Sequence, residues 1–458
     1  MFDSSPGLDA IDDVAKAGNI CAHTPPNGGF RRGRYLWSLR RFASPRTAEG
    51  RATSFSGLSL RGYRQGMEVN GYKIEPGANL SRANLSNANL MDANLRDTNL
   101  YRAKLLGAYL EDANLEDANL GDANLYRAQL CGASLRRVNL SNANLSYANL
   151  SEVNLADANL SNANLSNASL VDSYLGNANL NSTNLSSTNL SSAGLAGAKL
   201  RGAKLRGADL TDADLTGADL TNADLTNADL TRANFTDANF AGANLAGADL
   251  TDANLTSVGL EYASLTSAEL TGANLTRATI TSADLTDANL TGANLTGANL
   301  TGANLTRANF TDANLAGANL AGADLTDANL TSVGLEYAKL TGANLTGANL
   351  TRATITGADL TDANLTDANL TEVYLPGAVF VRAKLANASF AKSEMCCPPY
   401  DPVSFNYADL TGANFFGATL GGASFYSANL TGANLTGAEF QYADLDSAVL
   451  DGVIGYKL

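Results

Sequence analysis

Histidine is almost missing. His23 is the only one in the chain, so no Ser-His or Cys-His nucleophile pair can be built along most of its length. Cysteine is scarce too: Cys21, Cys131, Cys396 and Cys397 are too few and too scattered for a disulfide framework or a zinc site. The adjacent Cys396-Cys397 pair reads as an incidental loop pair rather than a redox element. No apolar run approaches the ~20 residues of a transmembrane helix, so no membrane span is expected. A Walker loop, a dinucleotide fingerprint and the Gly-Gly-x-Gly-x-Asp repeat of calcium β-rolls are all absent. Carboxylates abound, but most occupy positions where a solvated Asp is the default, so a glycosidase-like pair has little support. These absences argue against an enzyme and imply no cofactor and no bound metal.

What is present is a period of five. From Leu80 to Phe390 every fifth residue is Leu, except Phe235, Phe240, Ile280, Phe310, Ile355, Phe380 and Phe390. Two residues before each stands a small residue, nearly always Ala, giving Ala-(Asn/Asp)-Leu-x-x. Alternation makes the first three residues a minimal strand, with Ala and Leu inward and Asn or Asp outward. The last two, typically Thr-Gly, Thr-Asp, Ser-Asn or Thr-Asn, are corner residues, because Gly, Asn and Asp tolerate the backbone angles a corner demands. An α-helix is excluded, since a five-residue repeat drifts around a 3.6-residue turn and would bury Asn as often as Leu.

This Ala-(Asn/Asp)-Leu-x-x repeat closely resembles that of the pentapeptide-repeat proteins, over roughly four-fifths of the chain. The resemblance implies an all-β fold, a right-handed quadrilateral β-helix with four pentapeptides per coil. From Gly77 to Leu450 that would give about 19 coils, and at about 4.8 Å between paired strands a rod about 90 Å long. Two inward residues in five account for most of the 45% hydrophobic content, leaving little for a second core.

Domain boundaries follow from where the frame holds. Residues 1–66 carry ten basic and five acidic residues, net +5, and are expected to be a disordered Arg-rich extension. The Arg-rich, acidic-poor run from Phe30 to Gln65 has organelle targeting or a basic arm as alternatives, against a default cytoplasmic location. Met67, the first methionine after Met1, opens a stretch like the start of many bacterial pentapeptide-repeat proteins, and the folded part is expected to begin there. The main solenoid is placed at 67–390, a Cys/Pro-rich loop at 391–404, Phe-rich coils at 405–450 and a cap at 451–458. Pro398 and Pro399 should force the loop outward, because they cannot donate ladder hydrogen bonds. Within the solenoid, residues 231–290 recur as 306–365 with five differences. The offset of fifteen units is not a multiple of four, so the copy should be rotated by one side of the square.

The surface is then the functional object. If four units make each coil, the face centred on Leu90, Leu110 and every twentieth residue carries Asp92, Glu111, Asp112, Glu152, Asp172, Asp209, Asp212, Asp249, Asp252, Glu269, Asp312 and Glu372. Against them stand Arg352 and Lys392, for a net −10; the other three faces come to +1, 0 and −3. The expected function is a non-catalytic scaffold that meets a protein partner through this acidic face, without binding nucleic acid directly. A second reading follows from the resemblance: quinolone-resistance pentapeptide proteins mimic DNA in the saddle of gyrase, and they dimerise end to end through their C-terminal coils. The solenoid's net −19 over ~90 Å is only about one charge per ~5 Å, against one per ~1.7 Å for duplex DNA. A third, remote reading is an ice-binding β-helix, from the parallel Asn and Thr rows on every face.

Overall fold

The computed structural model describes residues 63–64, 66–395 and 402–455. The Arg-rich run apart from Tyr63 and Arg64, and Cys21, Cys396, Cys397, Pro398, Pro399, Tyr456 and Leu458, lie outside the described residues. The chain opens with a hairpin that the five-residue period does not predict: β1 (Met67–Val69) pairs antiparallel with β2 (Tyr72–Ile74). Asn70 and Gly71 between them have φ of 52° and 79°, the two positive angles of a type I′ turn, for which Asn-Gly is the favoured pair. Met67, Val69 and Tyr72 pack on the core, and Asn70 Nδ2 donates to the Asn84 carbonyl at 3.2 Å. The hairpin thus covers apolar surface and backbone groups that the first coil would leave open.

Beyond it lies a right-handed quadrilateral β-helix. Each outward strand residue pairs in parallel with the residue twenty further on, as in Asn79↔Asn99 and Asn84↔Lys104. Four ladders run the length of the rod, one per face, starting at Asn79, Asn84, Asn89 and Asn94. The frame survives the interruption as expected. Across it the pairing step widens once, to Val379↔Ser404, Lys384↔Asp409, Ser389↔Asn414 and Glu394↔Thr419, and then resumes at twenty.

One unit shows why the repeat has five residues. The N–H of Ala253 donates to the Leu250 carbonyl at 3.0 Å and closes the preceding corner. Asn254 N–H reaches back to Ala233, Leu255 N–H forward to Asn274, and Ser257 N–H forward to Thr276. The fifth donor, Thr256 N–H, has no backbone acceptor and is taken by Asn254 Oδ1 at 3.2 Å. All five donors are satisfied, the condition for burying so much backbone. The Asn or Asp before each Leu therefore points outward, as expected, and also holds the corner. The second corner residue takes positive φ throughout, 57° at Ser257, as the third position of a type II turn requires.

Leu and Ala fill the interior, with Leu255 1% exposed. Towards the C-terminus Phe380, Phe405 and Phe425 stack from the Asn79 face, centroids 5.0 Å apart, and Phe390 and Phe415 stack likewise from the opposite Asn89 face. The two columns meet edge to face, Phe390 to Phe405 at 5.5 Å, the arrangement that ring quadrupoles favour. Residues 451–454 continue the last coil, Ile454 pairing with Asn434. Val449 and Ile454 are exposed, while Phe440, Leu445, Leu450 and Val453 are only partly buried.

Candidate interaction surface

All twelve acidic residues expected on one face lie on the Asn89 ladder or on the corner that follows it. They form two rows rather than one patch. Asp209, Asp249 and Glu269 stand on the ladder itself, where Asp229 joins them, so that four successive strands, Asp209↔Asp229↔Asp249↔Glu269, carry carboxylates. Asp92, Asp112, Glu152, Asp172, Asp212, Asp252, Asp312 and Glu372 occupy the positive-φ corner position, with Glu111 beside Asp112. The tally from sequence omits Asp229 and Arg232, whose charges cancel, so the face keeps its net −10. Cys131, in the same corner row, is disulfide-bonded, a bond that the cysteine spacing does not suggest.

The carboxylates are not equally available. Arg232 grips Asp212 with two hydrogen bonds of 2.8 Å, and Arg352 lies 3.5 Å from Glu372. The Arg232 guanidinium holds the Asp212 carboxyl below its ordinary value. Arg137, Arg307 and Arg382 do the same to Asp117, Asp287 and Asp362 at other corners. At Asp122 the Tyr101 hydroxyl contributes most and Arg102 second. Each Arg–carboxylate pair joins the same corner position in adjacent coils, the carboxylate lying in the preceding coil for Arg137, Arg232, Arg307 and Arg382 and in the following coil for Arg102 and Arg352.

The ladder row behaves differently. Along parts of the Asn ladders, Nδ2 donates to the preceding coil: Asn309 to Asn289 at 3.2 Å and Asn329 to Asn309 at 3.1 Å. Asn289 donates in the same sense to Glu269 at 2.7 Å. An Asp accepts but cannot donate. From Asp209 to Glu269 the ladder of amides is therefore replaced by stacked like charges; Asp209, Asp229 and Asp249 are each held by their own corner, as Asp249 is by Thr251 N–H at 2.9 Å, and only Glu269 also accepts from the next coil. Asp229→Asn is accordingly expected to raise the denaturation midpoint, by about 0.2–1 kcal/mol, since directly opposed like charges destabilise paired strands; chemical denaturation followed by circular dichroism reads it.

The hydroxyl rows are present but internally engaged. Thr256 Oγ1 donates to Asn254 at 2.7 Å and accepts from Asn274 Nδ2 at 3.0 Å, a pattern repeated along several ladders. The duplicated segments face different ways, as the fifteen-unit offset demands: Asn254 lies on the Asn94 ladder and its counterpart Asn329 on the Asn89 ladder. The Arg-Asp corner pair recurs with that offset, as Asp212–Arg232, Asp287–Arg307 and Asp362–Arg382, on three successive corners. One of the five differences between the copies has a visible reason. A Cβ at Gly357 would meet the Tyr337 ring at 2.8 Å, whereas Ser282 stands beside the more exposed Tyr262. Among the described residues no helix is long and apolar enough to cross a membrane, and no group of His, Cys, Asp and Glu is placed to hold a metal ion.

Comparison with known proteins finds one family profile and several solved structures. The family profile described as pentapeptide repeats matches residues 78–396 and 403–452 through overlapping copies. HetL, a pentapeptide repeat protein involved in heterocyst differentiation regulation from the cyanobacterium Nostoc sp. strain PCC 7120, is 33% identical over 55% of this chain and 91% of its own, with a TM-score of 0.24. QnrB1, a plasmid-mediated fluoroquinolone resistance protein, is 21% identical over 42% of this chain and 92% of its own, with a TM-score of 0.24. A pentapeptide repeat protein from the Arabidopsis thaliana thylakoid lumen is 30% identical over 23% of this chain and 68% of its own, with a TM-score of 0.16. No curated protein sequence matches the chain. With a five-residue frame, four parallel ladders and a family profile spanning most of its length, the chain belongs to the pentapeptide-repeat family.

Proposed function

We propose that the chain is a non-catalytic interaction rod whose Asn89 face docks a basic surface of a partner protein. The observation that carries this reading is the run of carboxylates on consecutive strands, Asp209, Asp229, Asp249 and Glu269, beside the acidic corner row. A fold that gives up amide ladder bonds to line up like charges gains nothing in stability from them, and a basic partner relieves the repulsion. The alternative is a DNA-mimicking binder of gyrase or a related topoisomerase, which the family resemblance supports and the low charge density does not. The half-buried apolar residues of the last coil also suit a second copy docked end to end.

The test uses the full chain as bait in cell lysate, beside a variant with Asp209→Asn, Asp229→Asn, Asp249→Asn and Glu269→Gln. One defined partner retained by the wild type and lost by the variant is expected; identical recovery from both baits overturns the reading. Inhibition of gyrase supercoiling at micromolar concentration would favour DNA mimicry instead. Light scattering decides the end-to-end copy, a particle of twice the chain mass supporting it and one of single mass excluding it.

A further inference from the structure

The rod also carries a concentrated patch of the opposite sign. Between Arg137 and Arg232 the only cations are Lys199, Arg201, Lys204 and Arg206, all within one half coil and all exposed. Lys199 stands on the Asn79 ladder and Lys204 on the Asn84 ladder, while Arg201 and Arg206 take the first position of the two corners that follow. Together they make a belt across two adjacent faces, perpendicular to the rod axis, between the units up to about residue 190, in which Ser often follows Leu, and those from Thr211 on, in which Thr mostly does.

Three features set this belt apart from a solvated scatter of charge. First, among the described residues none of the four lies within salt-bridge distance of a carboxylate, although Asp219 and Asp224 are the next strand partners of Lys199 and Lys204. Those two carboxylates are turned to their own corners, where Asp219 accepts from the N–H and hydroxyl of Thr221 and Asp224 from those of Thr226. Second, at the same first corner position Arg96 and Arg136 reach Asp117 and Asp157 twenty-one residues on, at 3.2 and 3.9 Å, whereas the residues twenty-one on from Arg201 and Arg206 are Asn222 and Asn227. Third, Lys replaces the corner-holding Asn twice in succession. The orphaned N–H of Arg201 must borrow Asn181 Oδ1 of the preceding coil at 2.9 Å.

We propose that Lys199, Arg201, Lys204 and Arg206 form a docking site for an extended acidic segment of a partner protein, separate from the acidic face. The shape of the belt selects that class of ligand. It is one coil wide, about 4.8 Å, the width of a single extended strand. On its N-terminal side the same faces present Asn179, Asn181, Ser182, Asn184, Ser186 and Ser187, uncharged donors and acceptors for a peptide backbone. On its C-terminal side lie Asp219 and Asp224. A nucleic-acid duplex, whose major groove alone is about 12 Å wide, covers more than two coils and must overlie those carboxylates. An extended peptide need not.

The test is fluorescence anisotropy of a rhodamine-labelled hexaglutamate peptide with the full chain at low ionic strength. Binding is expected, weakening with added salt, and by about tenfold or more when all four cations are changed to Gln. Arg277→Gln, which removes an exposed cation elsewhere, is expected to leave it unchanged. Should the fourfold variant lose its β-helix circular dichroism, Lys204→Gln and Arg206→Gln are read singly and are each expected to weaken binding. The proposal is overturned if the wild type does not bind hexaglutamate, if the belt variants bind it as well as the wild type does, or if labelled duplex DNA binds the same four residues more tightly. The acidic-face variant keeps these cations, so a failure here and a failure of the proposed function are read separately.

Discussion

Leu255→Arg is expected to lower the unfolding midpoint of the rod sharply and to melt the coils on either side of residue 255 first. Leu255 is 1% exposed and sits among the inward residues of neighbouring coils, with its N–H bonded to the Asn274 carbonyl and the Asn254 carbonyl accepting from Phe235. Truncating such a Leu costs about 2–5 kcal/mol through transfer and cavity terms, and burying an unpaired guanidinium adds to this. Because each coil touches only its neighbours, the damage should spread by local melting rather than by collapse of the whole chain at once. Guanidinium denaturation followed by circular dichroism gives the midpoint, and amide hydrogen exchange shows where protection is lost. Ser257→Arg two residues later is the contrast. It places Arg at a corner position that Arg232 and Arg307 already occupy with φ near 57°, and should be close to neutral. Full stability of Leu255→Arg, or equal damage from Ser257→Arg, would contradict the inward and outward assignment.

The second large effect is expected at Phe405. Its ring is stacked between Phe380 and Phe425 and meets Phe390 and Phe415 edge on, so it links both aromatic columns. Phe405→Ala should destabilise the C-terminal coils by about 3–5 kcal/mol, seen as early loss of amide protection at Ala408, Ala413 and Ala428 while residues near Leu150 stay protected. Phe405→Leu restores the ordinary repeat residue at this place and is expected to recover much of the loss. Uniform loss of protection along the rod would mean that the coils unfold as one unit. The aromatic columns begin where the chain is interrupted, and they tie the coils beyond the insertion to those before it.

The duplication bears on how the rod is used. A feature in 231–290 reappears in 306–365 one face round, as the Arg-Asp corner pairs show by moving across three corners. A partner reading one narrow face through both copies would lose its contacts at the second. The carboxylate ladder from Asp209 to Glu269 escapes this, since the difference at 269/344 replaces Glu269 by Asn344 and the second copy offers no equivalent row. The cationic belt at 199–206 lies outside both copies.

Much of this molecule was legible in sequence because a period of five admits only one arrangement that keeps Leu255 in and Asn254 out for dozens of repeats without a slip. Strand and corner follow from that period; ladder spacing, face membership and the quarter-turn of the duplication follow once the family resemblance supplies four units per coil, and each face's charge then follows by counting. Tertiary structure decided what counting cannot reach. The Asn70-Gly71 hairpin stands outside the period, and although the dipeptide is a turn signal, its packing on the first coil depends on contacts with residues such as Asn84. Which charges are spent and which are free was equally hidden: Asp212 is held by Arg232, whereas Asp219 turns to Thr221 and Lys199 has no carboxylate partner among the described residues. The physical reason is that a repeat specifies where side chains start, twenty residues apart on a shared ladder. Where they end depends on rotamers and on competition between hydrogen-bond partners in adjacent coils, which exists only once the coils are stacked.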